Sequence, residues 1–192
     1  MTLLILGLVL FLGVHSARIV AEDFRARQIA RLGANGWKGL YALASLAGLA
    51  LIVYGFALAR QQPVVLWATP AWLRHVAALL TLVSFVFVTA AYVPGNGIKA
   101  RLQHPMVLGV KVWALAHLLA NNSLADMLLF GSFLVWAVFS FRAARERDRA
   151  ANTAHPAAAL SRTLATLTIG TAAWAAFAFW AHAALIGVRP FA

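Results

Sequence analysis

Cysteine is absent from this 192-residue chain. That excludes disulfides, thiolate metal sites and thiolate ligation of a haem iron. Acidic residues are scarce as well, five in all. No carboxylate falls inside an apolar run except Asp126, near the start of one. Zinc hydrolysis and carboxylate-bridged di-iron chemistry both need such groups and are not expected. Charged residues make up 11% of the chain, against about a quarter in a typical soluble domain. No stretch is polar enough to surface a water-facing domain.

What is present is apolar: 63% of residues are hydrophobic. Six runs approach the ~20 residues that cross a bilayer. They are Leu3 to Val20, Leu40 to Ala59, Trp72 to Val93, a shorter one beginning at Pro105, Leu124 to Phe141, and Leu164 to Val188. Polar loops separate them, with turns expected at Gly33-Ala34-Asn35-Gly36 and Pro94-Gly95-Asn96-Gly97. The expected fold is all-α, one polytopic bundle of about six transmembrane helices spanning residues 1–192 as a single domain. The first run has no Lys or Arg before it, so it reads as a retained helix and not a cleaved signal. Ser45, Gly48, Ile52 and Gly55, and separately Thr163, Thr166, Gly170 and Ala173, place small residues at helical spacing. Helix packing is the expected use.

The net charge of +11 sits in short loops and points to membrane orientation, not nucleic acid. Arg18, Arg25, Arg27, Arg31, Lys38, Lys99, Arg101, Arg142, Arg145, Arg147, Arg149 and Arg162 follow the odd-numbered runs. Only Arg60, Arg74 and Arg189 lie on the other side. By the positive-inside rule the first group is cytoplasmic and both termini are outside, N-out and C-out. A membrane crossed several times is the expected location, with the lipid bilayer as first partner.

The unusual chemistry is concentrated between Gln103 and Asn121, an apolar segment holding His104, Lys111, Trp113 and His117. Ionisable groups are costly in hydrocarbon, so an intramembrane histidine is a functional hypothesis by default. Pro105 suits the first helical position. Gly109, Trp113 and His117 then share one face. His104 and His117 are separated by about 220° at ~100° per residue and face different sides. Of the other histidines, His155 reads as solvated, His75 as interfacial and His182 as a packing residue. His15 and His117 lie within apolar runs, each open to reading as a hydrogen-bonded core residue or a ligand. Two such imidazoles can hold one haem iron. Straight helices would place His15 and His117 at depths differing by about 10 Å at 1.5 Å per residue. His15 and His104 match better.

Gly13-Val14-His15-Ser16-Ala17-Arg18, Tyr41, and the block His104-Pro105-Met106 through Gly109 to Trp113-Ala114-Leu115-Ala116-His117-Leu118-Leu119-Ala120-Asn121 resemble the NnrU family of bacterial inner-membrane proteins. The resemblance implies a link to denitrification, through nitrite and nitric oxide reduction. The family is also similar to the plant zeta-carotene isomerase, a membrane enzyme with haem b. That similarity implies haem b ligated by His15 and His117, and cis-trans isomerisation of an apolar polyene. The plant enzyme has a cysteine three residues before its second histidine, where this chain has Ala114. His104 is the further candidate for cofactor binding. The alternative is a non-catalytic assembly or interaction factor for a respiratory nitric oxide reductase.

Overall fold

A computed structural model describes residues 1–153 and 157–191. The loop residues His155 and Pro156 lie outside the described residues. All regular elements described are helical. They are α1 (Thr2–Val20), α2 (Glu22–Ala59), α3 (Leu73–Tyr92), α4 (Gly97–Leu102), α5 (Pro105–Ala120), α6 (Leu124–Ala150), α7 (Leu160–Ala176) and α8 (His182–Ile186). A π-helical turn, Phe177–Ala181, joins α7 to α8. Five helices are long and apolar enough to cross a membrane: α1, α2, α3, α6, and α7 continued through α8. The apolar helix α5 has 16 residues and is shorter than the rest.

Two boundaries differ from the sequence expectation. The turn at residues 33–36 shrinks to one residue. Helix α2 already begins at Glu22 and bends at Gly33, whose φ of 73° and ψ of 163° suit glycine. Likewise α6 does not stop at Phe141 but runs on to Ala150. Hydropathy marks where a chain leaves hydrocarbon, not where a helix ends. The Arg- and Ala-rich stretch after Phe141 consists mainly of good helix formers.

Neighbouring helices form a row in the order α2, α1, α6, α5, α3, α7, with α4 bridging α3, α5 and α7. Close approach in lipid relies on small residues, and α1 meets α2 through them. A Cβ on Gly7 would lie 2.6 Å from the Ile52 nitrogen, and one on Gly55 would enter the Leu3–Leu4 backbone. Between these helices, α5 and α6, the core gathers Leu4, Leu8, Ile52, Ala114, Leu129 and Phe130. Outward residues such as Val9, Leu46 and Phe179 are exposed and apolar, as lipid-facing side chains are.

Both ends of α5 are fixed by local chemistry. His104 is its N-cap and Pro105 is buried at the first position. Asn121 ends it, its amide donating to the His117 carbonyl at 2.8 Å. The next turn is held by a capping box between Ser123 and Asp126. The Asp126 carboxylate accepts from the Ser123 hydroxyl at 2.6 Å and its backbone N–H at 3.1 Å. The one carboxylate near an apolar run is thus committed to a cap. The loop after α2 docks on this turn, with Leu66 N–H donating to the Asn122 carbonyl and Leu124 N–H to that of Val64.

Candidate functional site

His15 sits one turn before the end of α1. Its Nδ1 is 2.7 Å from the Phe11 carbonyl. A carbonyl only accepts, so Nδ1 carries the proton and donates. In the neutral form of the ring the lone pair is then on Nε2. Phe11 stacks on the imidazole at 4.2 Å, and Tyr41 and Trp136 flank it at 5.1 and 6.1 Å. One i−4 carbonyl and three aromatic rings therefore set this ring's orientation.

His104 arrives by a different route. Gln103 adopts φ 64°, a conformation that costs a non-glycine residue roughly 1–3 kcal/mol. It turns the chain between α4 and α5. His104 Nε2 then meets the Asp148 carboxylate at 2.8 Å. Asp148 reaches it only because α6 continues past Phe141.

The two histidines line one cavity of about 720 Å³. Tyr41 and Trp136 line it too, as do four cations, Arg18, Arg25, Lys38 and Arg147. Arg147 Nη1 donates to the Arg18 carbonyl at 3.1 Å, joining α6 to α1 at the rim. The Trp136 indole N–H is buried and donates to no described residue. A buried donor without a partner is uncommon and calls for an acceptor.

His117 lies elsewhere. Its Nδ1 donates to the Trp113 carbonyl at 2.9 Å, and its ring stacks on Phe130 at 4.5 Å. It lines a second cavity of about 340 Å³ near the other end of α5, and the two cavities share no lining residue. The structure brings His15 together with His104 and not with His117. Among the described residues no group of three or more His, Cys, Asp or Glu side chains could hold a bare metal ion. A porphyrin iron asks less, one or two axial side chains.

The family model described as NnrU protein matches residues 3–190. The chain belongs to the NnrU family. No curated protein and no solved structure matches this NnrU protein. With its several long apolar helices it is a multi-pass inner-membrane protein.

Trp136 and Asp148 were not singled out from the sequence, and Arg147 only as one of the charges that set orientation. Asp148 follows from letting α6 run two more turns beyond Phe141. Trp136 had no local signal, being one of seven tryptophans in an apolar chain.

Residues of the first cavity fit a haem in three respects. His15 has Nε2 left over from its bond to Phe11, Arg18, Lys38 and Arg147 suit propionate carboxylates while Arg25 is paired with Glu22, and the Trp136 N–H lacks an acceptor among the described residues. His15 and His117, the ligand pair that the resemblance implies, line separate cavities.

Proposed function

We propose that this NnrU protein is a haem b protein of the inner membrane, with the iron held by His15 in the basic-rimmed cavity and His104 as the second side chain of that site. The observation that carries the reading is the His15 Nδ1 donation to the Phe11 carbonyl, which leaves Nε2 as a ligand on the cavity wall. An imidazole whose other nitrogen donates to a carbonyl is held in one tautomer and is the more basic ligand for it. Bound haem would supply one-electron redox chemistry. Arg18, Lys38 and Arg147 would hold its carboxylates, and Asp148 would orient His104.

Four cations on the lining suit an anionic cofactor better than a bare hydrocarbon. We read the role as redox chemistry, in keeping with the link to denitrification that the family resemblance implies; isomerisation of a polyene would use the same haem. The whole chain, 1–192, is read as one NnrU-like transmembrane domain. We read the short α5 as a sixth span beside the five long apolar helices; with the basic loops inside by the positive-inside rule, both termini would lie outside and the His15 cavity would face the cytoplasm.

The test is an absorption spectrum of the detergent-purified protein, oxidised and then dithionite-reduced, with a pyridine haemochrome assay. A Soret band and sharp reduced α and β bands at about one haem per chain are expected. Colourless protein from haem-replete cells would overturn the reading in favour of an assembly or interaction factor.

A further inference from the structure

The second cavity has its own chemistry, independent of the first. It lies near the C-terminal end of α5, between α3, α5 and the α7–α8 helix. His117 lines it from α5 and His182 from α8. His182 Nδ1 is 2.7 Å from the Val188 carbonyl. As with His117, that nitrogen must donate. That leaves Nε2 of each ring as the nitrogen able to accept in the neutral form, and no hydrogen bond joins either Nε2 to another described residue.

This arrangement is built, not incidental. The π-helical turn Phe177–Ala181 shifts the register of everything after Trp174 and delivers His182 to the wall. Gly187, at φ 76°, then reverses the chain so that Val188 returns to meet the His182 ring. Trp113, Trp174, Phe85, Phe177 and Phe191 supply aromatic walls. The Trp174 indole N–H is already engaged, donating to the Thr81 hydroxyl at 3.1 Å.

Arg74, Arg189 and Asn121 share the lining with these rings. A ligand that uses both the aromatic walls and the two imidazoles is a flat ring that brings two hydrogen-bond donors of its own. A zinc ion wants three or four protein ligands, and the described residues group no third His, Cys, Asp or Glu here. We infer that the cavity binds the head group of a lipid-soluble hydroquinone, its hydroxyls donating to His117 Nε2 and His182 Nε2 and its ring packed among the aromatic side chains. The oxidised quinone has no hydroxyl to donate. The site consequently distinguishes the two redox forms of one carrier.

The experiment uses the full chain in nanodiscs and measures retained decylubiquinol and decylubiquinone against empty nanodiscs. Wild-type protein is expected to retain one decylubiquinol per chain and to bind decylubiquinone at least about tenfold more weakly, the worth of one good hydrogen bond. His182→Phe, which leaves the His117 hydrogen bond in place, should weaken decylubiquinol binding about tenfold. His182→Gln, whose amide oxygen can still accept, should recover part of the difference. His15→Ala should leave decylubiquinol binding intact, so that failure here and failure of the haem reading are separable. Equal retention of both redox forms by the wild type would overturn the assignment without recourse to any variant. So would wild-type decylubiquinol binding by a folded His182→Phe protein, or stoichiometric Cu⁺ binding with no decylubiquinol retained.

Discussion

His104 Nε2 and Asp148 Oδ2 lie 2.8 Å apart, linking the N-cap of α5 to the last turn of α6 across 44 residues of sequence. The pair is about a quarter exposed on each side, so water screens it in part. We predict that His104→Ala and Asp148→Ala each cost about 1 kcal/mol. The double variant should cost less than their sum. Thermal unfolding in detergent reads this as a drop of roughly 2–4 °C per kcal/mol. Fully additive losses would show that the two side chains do not interact.

His15→Ala is expected to abolish haem binding while the protein still inserts and purifies. His104→Ala should shift the spectrum or lower haem content, and His117→Ala should leave both as in the wild type. Loss of haem from His117→Ala alone, with His15→Ala unaffected, would refute the placement. The pyridine haemochrome yield per chain is the readout.

The α1–α2 seam sets a contrast between glycines. Gly55→Val drives a side chain into the Leu3–Leu4 backbone and should destabilise by 1–3 kcal/mol or more, as overpacking does, to about that order. Gly13, also in α1, has nothing within 4 Å of a built Cβ. Gly13→Ala should be neutral or stabilising by up to about 1 kcal/mol. Denaturation midpoints of the two variants should move in opposite directions or differ clearly in size.

Orientation can be tested directly because the chain lacks cysteine. A single Gln62→Cys should react with a membrane-impermeant maleimide added outside the cell membrane. A single Asn152→Cys should react only after the membrane is opened. The reverse pattern would invert the N-out, C-out arrangement.

The apolar runs and the 16-residue limit of α5 were legible from the sequence, because length and hydropathy are local properties. So were the roles of Pro105 and Asn121, which depend on backbone chemistry alone. The helical parts of Glu22–Gly33 and Arg142–Ala150 were not. Their polar surface suggested loops, yet polarity and helicity are separate quantities. That misreading hid Asp148 from His104. Helical rise put His15 and His104 at similar depth, and they line one cavity; the resemblance implied His15 with His117, which lines another. His182 was read as packing because nothing in the sequence announces the π-helical turn or the return of Val188. Both are tertiary adjustments of a few residues.

The shortness of α5 has an electrical consequence. Sixteen residues rise about 24 Å at 1.5 Å each, several ångströms less than the ~30 Å hydrocarbon core. The helix begins at the His15–His104 cavity and ends at the His117–His182 cavity. A charge carried from one to the other across the hydrocarbon would move through a membrane voltage worth about 2.3 kcal/mol per 100 mV, over about the rise of this one helix.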